Sequence, residues 1–297
     1  MIEILVLHMF FGASNPIGKF LLQFTSPAFL SGIRMGIAGL ILLGYQYLNP
    51  RAHFRFQKNH IWLYLQLTVI GVYLKYILRY WSLSYLEPGK FSFLLNVSPF
   101  VAALFSFIFF KEKLTQKKWI GLSIGFIGLV PMLITTSLTE RSLGEFVFIS
   151  WPELAALGAV VAHVYGMIIV RILVRTHEYA SGMINGISMF GAGILGLGTA
   201  FAIEDCYISN PLSFFTGLMV LVIISNVICK NLYTNLVKHY SVTFLSFTDF
   251  LAPCFAVFYS WLWFGEKITW NFYASGIIVL VGLYIFYQDE LTHIHAG

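Results

Sequence analysis

The sequence predicts an all-α integral membrane protein, with ten transmembrane helices arranged as a 5+5 inverted-topology repeat. Three observations predict it. Hydrophobic residues make up 58% of the 297-residue chain and charged residues only 10%, with a mean hydropathy of +0.79. A soluble domain carries about 25% charge. Apolar runs of bilayer-spanning length recur ten times between polar connections, and a segment of the first half returns 154 residues later in the second.

A hydrocarbon core of about 30 Å needs roughly 20 apolar residues per helix. Runs bounded by charge and turn residues fall at 4–22, 27–48, 61–84, 88–110, 119–136, 152–174, 181–203, 212–236, 241–264 and 270–288. Most connections are short, which makes sequential neighbours antiparallel. The longest are the basic stretch 49–60 and the polar stretch 137–151. The latter divides one integrated membrane domain into a first five-helix repeat (1–140) and a second (150–297). The first run opens with Glu3 and is followed by no small-residue cleavage site, so it is expected to be retained as a span.

The echo aligns without a gap. Ser92-Phe93 meets Ser246-Phe247, Pro99 meets Pro253, Ala102 meets Ala256, Glu112-Lys113 meets Glu266-Lys267, and Gly128-Leu129 meets Gly282-Leu283. Helix-breaking and charged positions match, which chance apolar similarity would not supply. Internal repeats in a very apolar chain mark transporters built from two related bundles.

Loop charge sets the orientation. Arg51, Arg55, Lys58, Lys111, Lys113, Lys117, Lys118, Arg171, Arg175 and Lys238 fall on one side, against Lys90, Arg141 and Lys267 on the other. Both termini are therefore expected in the cytoplasm, with a multi-pass chain in the inner (cytoplasmic) membrane. Five spans per half is an odd number, so the halves insert in opposite directions. The formal charge of +5 is a topology signal; the basic residues form no soluble face for nucleic acid. Cys206, Cys229 and Cys254 have no metal-ligand spacing, and neither a metal nor a cofactor is expected.

With these features in place, the chain resembles the drug/metabolite transporter superfamily in its EamA-like ten-helix branch. The residues that carry the resemblance are Phe11-Gly12-Ala13-Ser14-Asn15 with Lys19, then Pro27 and Arg34, and the two cassettes Pro99 to Lys113 and Pro253 to Lys267. The resemblance implies a central cavity lined mainly by the first, third, fourth, sixth, eighth and ninth spans, alternating access, and a small organic cargo. Lys19 and Arg34 match basic positions of the family and are read as helix braces. The sixth span departs from the pattern, carrying His163 and Tyr165 where an aromatic-rich opening is usual.

Charged groups inside a bilayer cost several kcal/mol and face a polar interior or snorkel. Asp249 is the one acid well inside an expected span. With Ser246 it shares a helical face one turn before Pro253, as Ser92 and Asn96 do before Pro99. Proline frees a carbonyl one turn upstream, so each face is expected to offer polar side chains beside an unpaired acceptor. Asp249 either recognises a cationic part of the cargo or neutralises a nearby cation. In the third span Lys75 lies deep beside Tyr76 and Tyr80, while Arg79 near the end is explained as well by snorkelling as by a cavity. Lys230 places Asn226 and Tyr233 at i−4 and i+3. Those three suit a carboxylate or amide ligand, or interhelical hydrogen bonds. His163 is a structural hydrogen-bond partner or a proton-coupling group. Phe93 and Phe247 are candidates to stack on a planar or cationic ligand, and Asn15 joins the set from the first span.

The leading reading is a secondary transporter for a small polar organic metabolite, with a coupling proton or an exchange substrate as further partner. Groups of both signs among aromatics suit a zwitterion with a planar part. Amino acids and S-adenosylmethionine both fit, ahead of nucleotide-sugar-like or drug cargo. The Phe- and Tyr-rich chain broadly resembles metabolite carriers of obligate intracellular bacteria in this superfamily, some of which carry S-adenosylmethionine. No ATP-binding GxxxxGK[ST] pattern is present. The alternative is an integral-membrane enzyme acting on a lipid or lipid-linked substrate. The sequence has no HExxH and no GxSxG, and an enzyme is not expected.

Overall fold

The computed structural model describes residues 2–48, 57–110, 115–133, 144–146, 149–239, 245, 251–265, 270, 273–274, 276–278, 280–282 and 284–285. Nearly all of them are helical. The helices are α1 (Ile2–Leu21), α2 (Pro27–Leu48), α3 (Lys58–Tyr85), α4 (Pro88–Phe109), α5 (Gln116–Leu133), α6 (Trp151–Arg175), α7 (Ser181–Ile203), α8 (Pro211–Lys238) and α9 (Leu251–Phe264). Seven of the described helices are long and apolar enough to cross a membrane: α1 to α4 and α6 to α8. Helical residues recur between Trp270 and Ile285.

Proline opens several of these helices. Pro27, Pro88, Pro152 and Pro211 sit in the first turns of α2, α4, α6 and α8, where a missing N–H is harmless and φ is already set. At α6 the Ser150 hydroxyl accepts from the Glu153 amide, and the Glu153 carboxylate accepts from the Ser150 amide at 2.7 Å. The other Glu153 oxygen meets Lys90 Nζ at 2.7 Å, tying the first turns of α4 and α6 together in a buried pair.

The sequence predicts an all-α chain, and the structure corrects this in one place. Glu145–Phe146 and Ile149–Ser150 pair as a two-strand antiparallel hairpin, with Gly144 at φ 89° leading in. The hairpin lies in the polar stretch between the two halves, outside the expected spans.

Among the described residues the most extensive helix–helix interface is α2 against α7. Glycine permits it. A Cβ on Gly39 would lie 2.4 Å from the Phe190 amide nitrogen, and one on Gly193 would lie 2.4 Å from the Gly36 nitrogen. Lipid tails provide no hydrophobic drive between helices, so close backbone packing of this kind is what holds them.

Two helices leave α geometry at comparable places. Leu67–Leu74 in α3 and Val222–Cys229 in α8 are π-helical, and the residues that follow are Lys75 and Lys230, 155 positions apart. Such segments often occur at functional sites because the wider turn re-aims the residues after it. In α4, Leu95–Val97 tightens to a 3-10 turn before Pro99, and the Ser98 amide donates to the Leu95 carbonyl. The acceptor that Pro99 was expected to leave free is thus paired. The corresponding acceptor before Pro253 belongs to Asp249, outside the described residues.

Candidate functional site

A cavity of about 860 Å³, counted to its open mouth, lies between six helices. Phe11 and Asn15 come from α1, Lys75, Tyr76 and Arg79 from α3, and Phe91, Ser92, Leu95 and Ser98 from α4. Ala159, Val160 and His163 come from α6, Lys230 and Tyr233 from α8, and Ala252 from α9.

Three basic residues stand in the polar part of the wall. Lys75 Nζ stands 4.3 Å from the centre of the Tyr76 ring, and the Arg79 guanidinium carbon is 5.7 Å from the same centre. Lys230 Nζ stands 5.6 Å from the centre of Tyr233. No acid lines the cavity among the described residues. Arg79 turns inward: Nη2 donates to Ser14 Oγ at 3.0 Å and to Asn15 Oδ1. Asn15 Nδ2 in turn donates to Ser92 Oγ at 2.6 Å, joining α3, α1 and α4.

Behind this wall sits Arg34, fully buried in α2. Its Nε donates to Asn226 Oδ1 at 2.6 Å, Nη1 to the Tyr80 hydroxyl, and Nη2 to Ser225 Oγ at 2.9 Å. The guanidinium also faces the Tyr76 ring at 5.2 Å. Lys19 is a second brace. Its Nζ donates to the carbonyls of Leu83, Ser84 and Leu86 at 2.7, 2.9 and 3.1 Å, covering orphan acceptors at the end of α3.

Of the residues singled out from sequence, the structure brings Asn15, Lys75, Tyr76, Ser92, His163, Lys230 and Tyr233 to one cavity. Tyr80 and Asn226 stand in the layer behind, on Arg34. Phe93 packs in a core cluster with Leu7 and Val97, and Asn96 is buried off the wall. Asp249, Ser246 and Phe247 lie outside the described residues. Sequence reasoning did not select Phe11, Leu95, Ser98, Ala159, Val160 or Ala252 for the site; the small and apolar ones among them carry no signal in an apolar helix. Arg79 did carry one, as a charge inside a span.

The EamA-like transporter family model matches the chain over residues 1–134 and 150–288. The chain is similar to the S-adenosylmethionine/S-adenosylhomocysteine transporter of Chlamydia muridarum, at 34% identity covering 97% of this chain and 92% of that one. It is 33% identical to the protein of the same name from Chlamydia trachomatis serovar L2, covering 97% and 89%. One solved crystal structure superposes with a TM-score of 0.71 at 13% identity, covering 95% of this chain and 94% of the other, which is a likeness of fold.

Proposed function

The chain belongs to the EamA-like transporter family, and we propose that it is a secondary carrier moving S-adenosylmethionine, or an amino-acid-like zwitterion, across the cytoplasmic membrane by alternating access. The observation that carries this reading is the cavity itself: side chains from six helices, charged and aromatic ones among them, surround an open space within a membrane bundle. The relatives' names supply the cargo. Its carboxylate suits the cationic wall, its adenine suits stacking on Phe11, Phe91 or Tyr233, and its sulfonium and ammonium suit Asp249 and aromatic faces.

The architecture proposed for this carrier is ten helices in two inverted halves, 1–140 and 150–297, with both termini cytoplasmic. Its support is the paired π segments 155 residues apart and the family match to each half. The helix pairs agree: α2 packs on α7, while α1 packs on α9 as α4 packs on α6, which is what a two-fold relation of the halves requires. His163 is the candidate proton-coupling group, with exchange against a second cargo as the other source of drive. We assign the chain no enzymatic step.

Purified protein in proteoliposomes is expected to take up labelled S-adenosylmethionine saturably, with S-adenosylhomocysteine competing. Folded protein that moves neither compound nor any amino acid would sink the reading.

Asp249 has its own test. Asp249→Asn is expected to weaken cargo affinity about ten- to a hundredfold, the worth of a charge-assisted contact, while melting behaviour holds. Normal affinity with a large stability loss would instead make it the structural partner of a cation.

A further inference from the structure

We propose that Lys75, Arg79 and Lys230 form a carboxylate subsite, and that the cavity selects its cargo by that group and rejects the same molecule without it. The inference rests on the carrier reading for its choice of probes. Its basis is geometric.

Lys75 and Arg79 are one turn apart on α3, directly after the π segment, and Lys230 holds the same place after the π segment of α8. The two irregular segments thus deliver basic residues from opposite halves of the chain to one cavity. A π turn costs regular hydrogen bonding, and its recurrence at both places argues for a positioned charge.

Arg79 has donor capacity that the described residues leave unused. Nη2 is engaged by Ser14 and Asn15, but Nε is buried and has no hydrogen-bond partner among the described residues. Ser98 Oγ, also on the cavity wall, is buried and unpartnered among the described residues in the same way. Unmade hydrogen bonds in a low-dielectric interior are unfavourable, and a guanidinium N–H is a donor only. An acceptor of negative charge is the complement to such a wall, and a guanidinium fork matches carboxylate geometry.

The aromatic faces settle where the cationic end of the cargo does not go. The Tyr76 ring already has Lys75, Arg34 and Arg79 within 4.3, 5.2 and 5.7 Å of its centre. A sulfonium or ammonium placed there would meet three like charges. The carboxylate therefore docks at α3 and α8, and the positive groups of the cargo point away from Tyr76.

The test compares carboxylated probes with their decarboxylated counterparts, measured as binding to the full chain in detergent and as uptake in proteoliposomes. The pairs are S-adenosylmethionine with decarboxylated S-adenosylmethionine, and phenylalanine with phenethylamine. Wild type is expected to bind at least one carboxylated probe about ten- to a hundredfold more tightly than its partner, the worth of a charge-assisted hydrogen bond. Lys75→Gln, Lys230→Gln and Arg79→Gln are each expected to lower affinity for the carboxylated probe. They should leave the decarboxylated one unchanged or bound more tightly, so that the preference collapses.

A merely structural role would weaken both members of a pair alike, which would overturn the proposal. So would a wild type that binds the members equally, or that binds no carboxylated probe. Carboxylate-selective binding without uptake would sink the carrier reading and leave the subsite standing. Uptake without carboxylate preference would do the reverse.

Discussion

Replacing Arg34 with methionine is expected to remove most transport activity and to destabilise the detergent-solubilised protein by on the order of 3 kcal/mol. Arg34 is fully buried, and its fork serves three acceptors on two helices: Tyr80 on α3, and Ser225 and Asn226 on α8. Methionine fills much of the volume but leaves those groups without their charged donor. Ser225 would retain a 3.3 Å bond to Ser14, and Asn226 only long contacts to Met35 and Met189 sulfur at 3.6 and 3.9 Å. Each buried polar group left unpaired costs about 1–3 kcal/mol, partly offset because a guanidinium is no longer held out of water.

Lysine at the same position keeps the charge but cannot reproduce the planar fork, so Arg34→Lys should recover little of either property. Transport suffers because the brace sits directly behind Tyr76 and fixes α3 and α8, the two helices that carry the cavity lysines. Thermal unfolding and uptake of the two variants test this. Wild-type melting and uptake in Arg34→Met would show that the network is dispensable.

Seven of the ten expected spans were legible among the described residues, because bilayer thickness imposes a length and an apolarity that few other constraints mimic. Residues 181–203, read from flanking polar residues alone, coincide with α7. Lys19 and Arg34 were legible as braces because a buried cation in a bilayer must find oxygen acceptors, and both do. The face of α8 was not. An i−4 relation puts Asn226 beside Lys230 in a regular α-helix, but the π segment ends at Cys229, between them. Asn226 therefore meets Arg34, while Lys230 reaches the cavity wall. A local i→i+5 turn has no signature in composition or periodicity. The same shift in α3 precedes Arg79, which its position near the helix end made equally consistent with snorkelling. The small and apolar wall residues were illegible for another reason: Ala159, Val160 and Leu95 differ from lipid-facing residues only in what packs opposite them.

Glycines were visible in the sequence, but which of them two helices meet at was not. The second large effect comes from there. Gly193→Ala is expected to destabilise the protein by about 3 kcal/mol or more, the upper part of the overpacking range. Gly36→Ala and Gly198→Ala should be neutral or slightly stabilising through helix propensity. The three glycines sit in the same helix pair, and their surroundings differ. A Cβ on Gly193 would lie 2.4 Å from Gly36 N, 2.5 Å from Gly36 Cα and 3.1 Å from Gly32 O, all backbone atoms of α2. A Cβ on Gly36 or Gly198 would meet nothing within 4 Å. Backbone cannot swing aside as a side chain can, so one methyl group on α7 must push the two helices apart. A radial gap of 0.5–1 Å already forfeits a quarter to a half of the dispersion attraction across it. Within a bilayer that attraction has little hydrophobic drive to support it. The loss falls on the most extensive helix–helix interface among the described residues. Melting temperatures of the three alanine variants, side by side in one detergent, check the argument: equal values would mean that α2 and α7 do not approach this closely.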